Sequence, residues 1–160
     1  MTAGLEQDPD LGPGERIILG THLFTPEEII AFAKKYDPQP FHVDAEAARA
    51  SVFGGLCASG WHTGSTWMRC NVAYLSARLA ERARLGLPEI RFGPSPGFRN
   101  MRWQKPVYAG DTITFAHTNV NLRPSLGLEG WSILEGKAEA WNEKEEPVMS
   151  YDTAVLVRSG

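Results

Sequence analysis

The longest helical pattern in the chain runs from about Gly60 to Leu85, and it constrains everything around it. Its first half carries Trp61, Trp67, Met68, Val72, Tyr74 and Leu75, which surround most of the helix circumference. A helix that is apolar on all sides belongs in an interior. Its last turns carry Arg78, Glu81, Arg82 and Arg84, so the pattern predicts a charged end emerging into water. Basic residues there also suit the helix dipole, and Gly86 and Pro88 supply the stop.

Something must wrap such a helix, and strand patterns follow it: Phe98 to Val107, Thr112 to Leu122, Trp131 to Trp141 and Val148 to Arg158. In the third, one face reads Leu134, Gly136, Ala138, Ala140, small enough for a helix to lie close against it. In the last, Met149, Tyr151, Thr153, Val155 and Val157 alternate with Ser150, Asp152 and Ala154. Asn142 to Glu146 is polar enough for a hairpin turn, and Gly86 to Gly97 reads as a Gly/Pro loop. Arg16 to Phe24 adds a first strand. About five mostly antiparallel strands and one long buried helix argue for an α+β fold, a curved antiparallel sheet wrapped around a long central helix.

Between first strand and long helix the punctuation is clear. Thr25-Pro26-Glu27-Glu28 announces a second helix, with Thr25 as cap, Pro26 at the first position and Glu28 completing a capping box. Ile29, Phe32, Ala33 and Tyr36 give it one apolar face. The prolines of Asp37-Pro38-Gln39-Pro40 must end it, and a short helical turn is expected over Ala45 to Ala50. With 160 residues, no internal repeat and 42% hydrophobic residues, the chain reads as one domain, 16–160, after a loose leader, 1–15. Met1 to Glu15 lacks the basic start and apolar run of a signal peptide, and no stretch reaches the ~20 apolar residues of a membrane span. A cytoplasmic location is expected, with Cys57 and Cys70 reduced and buried. The net charge of −3 and the absence of a dense basic run argue against nucleic acid as a partner.

The densest polar cluster is Asp37-Pro38-Gln39-Pro40-Phe41-His42-Val43-Asp44. Two prolines stiffen it, so the Asp37–His42 separation is largely set by the backbone, as an acid/base pair requires. The same residues would also suit an ordinary Pro-rich turn. A second feature, Gly54-Gly55-Leu56-Cys57-Ala58-Ser59-Gly60, ends where the long helix begins. Ser59 suits an N-cap, Gly60 lets another group approach the backbone, and free N–H groups there can meet negative charge. His62, two residues on, reads as a satisfied structural histidine. His42, Asp44 and His62 lack any metal-site spacing. Ser59 lacks the GxSxG context of a nucleophile.

Three segments in this order resemble the MaoC-like dehydratases, which include the R-specific enoyl-CoA hydratases. The first is the aspartate, proline turn and histidine followed two residues later by an acid, Asp37 to Asp44. The second is the Gly-rich run from Phe53 to Ser59-Gly60. The third is Trp103-Gln104-Lys105-Pro106-Val107-Tyr108-Ala109-Gly110-Asp111-Thr112-Ile113. Tyr36 and Gln39 depart from the glycine and asparagine that many active members carry.

The resemblance implies a single hotdog domain that adds water to, or removes it from, an acyl-CoA-type thioester. Asp37 and His42 would hold the water, with Gln39, Ser59 and Gly60 around substrate and oxyanion. No metal or separate cofactor is implied, coenzyme A being part of the substrate; Arg99, Arg102 and Lys105 are the candidates for its phosphates, with alternation placing Arg102 opposite the other two. A homodimer or dimer of dimers is expected. Two rivals are a hotdog thioesterase, which usually places a carboxylate on or beside the long helix, whose start here offers Ser59, Gly60, Trp61 and His62 and no acid, and a non-catalytic acyl-CoA-binding protein.

Overall fold

A computed structural model describes Leu5 and residues 7–160. The element order is β1 (Ile17–Leu23), α1 (Pro26–Tyr36), α2 (Pro40–Val43), α3 (Ala45–Arg49), α4 (Gly60–Arg84), β2 (Ile90–Phe92), β3 (Gly97–Arg102), β4 (Thr112–Pro124), β5 (Ser132–Trp141) and β6 (Pro147–Ser159). All strands belong to one antiparallel sheet in the order β1-β4-β5-β6. β2 and β3 both pair with the outer side of β6, β2 opposite its last residues and β3 opposite Ser150–Ala154. The sheet curls around α4, which is the hotdog architecture that the resemblance implies. Among the described residues no helix is long and apolar enough to cross a membrane.

The register explains the core. Residues facing each other across β4, β5 and β6 form rows on the face toward α4: Phe115-Ala140-Met149, His117-Ala138-Tyr151, Asn119-Gly136-Thr153 and Leu122-Leu134-Val155. The first row belongs to a large apolar cluster with Phe24, Ile29 and Trp67. The last lies in a second cluster with Leu11, Ile90 and Val157. Trp67 anchors the helix to the sheet, its indole N–H donating to the Ala116 carbonyl at 2.8 Å. Between the two clusters the rows carry polar groups. Gly136 is small for their sake: a Cβ there would collide with the His117 ring, so its missing side chain seats an imidazole on the sheet.

Several expectations need correction. The helix is not buried all round at its start, because Trp61, Met68 and Val72 are about half exposed on one side. The loop expected over Gly86 to Gly97 contains β2, whose Ile90 and Phe92 join the second cluster. β3 stops at Arg102, short of the expected Val107, and carries a bulge between Arg99 and Arg102, with Asn100 at φ 55°. The bulge also cancels the alternation expected there: Arg99 lies opposite Asp152 and Arg102 opposite Ser150, which share one face.

The largest difference is at the far end of α4. Arg82, expected in water, is 3% exposed. It is held by Asp8 through two bonds of 2.9 and 2.7 Å, by Asp10, and by the Pro88 carbonyl at 2.8 Å. Arg78 binds Asp10 at 2.7 Å. Within 7–15, expected to be a loose leader, the stretch from Asp8 to Gly12 is therefore packed: Leu11 is fully buried and Asn119 donates to the Asp10 carbonyl at 2.9 Å. Residues 1–4 and 6 of that leader lie outside the described residues. Counter-charge from a distant segment changed where Arg82 could go.

Candidate active site

α1 ends at Asp37, whose N–H still reaches the Ala33 carbonyl at 2.8 Å. Pro38 and Pro40 then turn the chain into α2, one helical turn that carries His42 inward to 6% exposure. Asp44 does not enter the site. Its carboxylate caps α3, accepting from the N–H groups of Glu46 and Ala47 at 2.9 and 2.8 Å. The Gly-rich run brings Cys57, Ser59 and Gly60 against this turn.

The geometry assigns the His42 tautomer. Nδ1 lies 2.6 Å from the Cys57 carbonyl, an acceptor, so Nδ1 carries the proton and donates. When the ring is neutral, Nε2 presents a lone pair, 3.5 Å from Asp37 Oδ2. Two acceptors face each other across that gap, an arrangement that calls for a shared donor such as water. Asp37 is held from its other sides: Ser59 Oγ donates to Oδ2 at 2.7 Å and Gln39 Nε2 to Oδ1 at 2.8 Å. Burial would raise its pKa, but these hydrogen bonds and the neighbouring His42 outweigh it, and the carboxyl sits below its ordinary value. Asp37 is thus a stable anion bound by neutral donors. The Cys57 thiol, pushed up to about 11 by burial, is no nucleophile.

Ser59 caps α4, accepting from the Trp61 N–H at 3.3 Å while donating to Asp37. Gly60 is the first residue of α4, where a backbone N–H has no helical partner. A side chain at Gly60 would strike the Trp103 indole, which lies against it and donates to the Gly60 carbonyl at 3.0 Å. So Asp37, Gln39, His42, Ser59 and Gly60 converge. Arg99, Arg102 and Lys105 do not join them: both arginines point to the sheet face away from α4, and Lys105 pairs with Glu146 at 2.5 Å. Sequence reasoning missed the Cys57 carbonyl and Trp103. The first is a backbone atom, and no side-chain pattern announces it.

Two further expectations change. His62 is not satisfied: among the described residues its buried Nδ1 has no partner, and its ring stacks on Phe32 at 4.6 Å. An acid does lie beside the start of α4. Glu28, from α1, is 3.6 Å from His62 Nε2 and 2.5 Å from His22 Nε2. It therefore turns toward His22, which itself accepts from Arg69 at 2.9 Å, while Thr25 Oγ1 caps α1 from the Glu28 N–H.

A cavity of about 940 Å³ runs along α4 from Trp61 and Gly64 to Arg82. Asp37 and His42 do not line it; its near end lies one helical turn from Gly60. Most of its wall is apolar.

Residues 13–126 match the family described as MaoC like domain. Among solved structures, the chain is similar to a MaoC-like dehydratase from Rhodospirillum rubrum, with 32% identity, a TM-score of 0.74, and coverage of 94% of this chain and 95% of that one. It is also similar to a monoamine oxidase regulatory protein from Archaeoglobus fulgius, with 24% identity, a TM-score of 0.72, and coverage of 92% and 91%. The R-hydratase PhaJ1 from Pseudomonas aeruginosa shares the fold at 17% identity, with a TM-score of 0.62 and coverage of 94% and 84%.

Proposed function

The chain belongs to the MaoC-like dehydratase family, and from that premise we propose that it is an (R)-specific hydratase or dehydratase of 2-enoyl thioesters of the acyl-CoA type. The observation that carries the reading is the paired acceptors of Asp37 and His42, 3.5 Å apart, with the tautomer of His42 fixed from behind.

Of the two, His42 is the base. Asp37 already accepts two hydrogen bonds and is held below its ordinary pKa, so it orients the water and stays ionised. The water oxygen bonds to C3 as its proton passes to His42 Nε2. The electrons of the C2–C3 double bond move to C2 and the thioester oxygen. Asp37 steadies the imidazolium, and the Gly60 N–H meets the developing charge on oxygen; removing one such donor typically costs about 3 kcal/mol. His42 then gives the proton to C2, completing the addition of one water. Dehydration is the reverse. Gln39, longer than asparagine, still serves as a donor to Asp37, which supports activity despite that departure.

A homodimer is part of this reading. β2 and β3 form an edge of the sheet, Phe98 on β3 is half exposed, and Met68 and Val72 on α4 are exposed beside the cavity. An edge and an apolar face of this kind favour cover by a second copy.

The test is loss of the conjugated thioester absorbance of crotonyl-CoA. Loss without thiol release, abolished in Asp37→Asn and His42→Ala, is the expected result. Thiol release would move the protein to the thioesterases, for which Glu28 beside α4 would be the carboxylate to examine. Binding of acyl-CoA with no turnover on a panel of branched and longer enoyl-CoAs would leave a binding protein.

A further inference from the structure

The cavity beside α4 carries a polar belt between two apolar stretches of wall, with Asp10, Arg78 and Arg82 beyond the farther one. Trp61, Met68 and Met101 line the near stretch, and Leu134 and Val155 the farther one. Between them His117, Tyr151 and Thr153 face the cavity from the sheet and Asn71 and Tyr74 from α4. A channel meant only for hydrocarbon gains nothing from such a belt, since each polar group loses water on burial and needs a partner.

The belt is also built. Gly136 lacks a side chain where the His117 ring lies, and His117 Nε2 sits 3.2 Å from Thr153 Oγ1. Burial pushes the His117 pKa down to about 4, so the imidazole is neutral at physiological pH. The arginines that line the cavity, among the described residues, are each paired with a carboxylate: Arg16 with Glu139, Arg78 with Asp10, and Arg82 with Asp8 and Asp10. The belt starts level with Trp67, whose ring is 5.8 Å from His117. That is seven residues along α4 from Gly60, or about 10 Å at the helical rise.

We infer that His117, Thr153 and Tyr151 form a subsite for an uncharged oxygen, a hydroxyl or keto group, carried on the acyl chain about 10 Å from the thioester. The inference rests on the acyl-thioester reading above, and it narrows the substrate class to oxygenated chains of medium length. An unsubstituted chain would offer no bond to the His117–Thr153 pair or to Tyr151, and a chain ending in a carboxylate would meet only arginines already paired with carboxylates. Sites built to hydrogen-bond a hydroxyl discriminate far more strongly against its absence than apolar pockets discriminate by size.

Binding is measured first, by calorimetry, with three saturated acyl-CoA probes of matched length: unsubstituted, hydroxylated about 10 Å from the thioester, and carboxylate-terminated. The full-length protein is expected to bind the hydroxylated probe at least about tenfold more tightly than the other two. Thr153→Val, close in volume, and His117→Asn are each expected to reduce that ratio toward one. A ratio near one in the wild-type protein, or one that both variants leave intact, overturns the subsite, as does failure to bind any probe. Because no turnover is involved, the two readings fail separately. A protein inert on crotonyl-CoA that still selects the hydroxylated probe keeps the subsite and loses the hydratase reading. One that hydrates crotonyl-CoA without selecting keeps only the hydratase reading.

Discussion

Asp37, just before one end of α4, and Asp10, at the other, both have carboxyl groups held below their ordinary value, by different partners. At Asp37 burial pushes upward, and neutral donors, Ser59 and Gln39, together with His42 outweigh it. At Asp10 burial also pushes upward, and the guanidinium groups of Arg78 and Arg82 outweigh it. Neutral donors leave a net negative charge facing a histidine lone pair, available to a ligand. Cationic donors cancel the charge and close the structure. The same residue type is poised for chemistry in one place and fastens the chain in the other, and the partners decide which.

The largest expected effect tests the poised end. Asp37→Asn or His42→Ala should lower hydration of crotonyl-CoA about 10²- to 10⁴-fold, with the unfolding midpoint in urea little changed. If either variant kept wild-type turnover, the contrast between the two ends would collapse. At the fastening end the sign reverses. Arg82→Ala leaves Asp8 without its cation and Asp10 with Arg78 alone, and breaking a buried pair this way costs about 3–5 kcal/mol. Urea unfolding should record that loss, while turnover by the folded fraction changes little.

Ser59→Ala sharpens the comparison from inside the site. Ser59 is fully buried and donates to Asp37 at 2.7 Å, and a hydrogen bond to a charged group contributes about 1.5–3 kcal/mol. A fall in kcat/KM of about tenfold or more is expected, with the Asp37 carboxyl, followed by NMR titration, moving up. An unmoved carboxyl would mean that Ser59 is only a helix cap.

The smallest effect is a pH dependence. Since the folded-state pKa of Asp10 is depressed, its contribution is present above the ordinary value of 3.8 and is lost as pH falls through the folded value. Asp10→Asn should therefore be less stable than wild type at pH 7 by about 1.5–3 kcal/mol. The gap should close on acidification below 3.8. A gap independent of pH would assign the loss to packing instead of charge.

This contrast also explains what could be read from the sequence. The turn from Asp37 to His42 was legible because two prolines and local spacing set it, and α1 and α4 appeared nearly to the residue because caps and stops are local. The Asp8–Arg82 pair spans a sequence separation of 74, and no periodicity connects such positions. His117 was hidden for another reason. The small face of β5 suggested close approach of a helix, when at Gly136 the room is taken by an imidazole from the next strand. A histidine at an inward-facing position of β4, opposite alanine and diagonal to glycine, was the available signal.

The packed N-terminal segment has a practical consequence for anyone who shortens this chain. Similarity to the family begins at residue 13, and a version started there would look complete by alignment while lacking Asp8, Asp10 and Leu11. It would leave Arg82 with both of its carboxylates deleted. Poor yield from such a trimmed protein would report the loss of Leu11 from the second cluster together with the counter-ions of Arg82, and a polypeptide carrying residues 1–12, added separately, is the reagent to restore both.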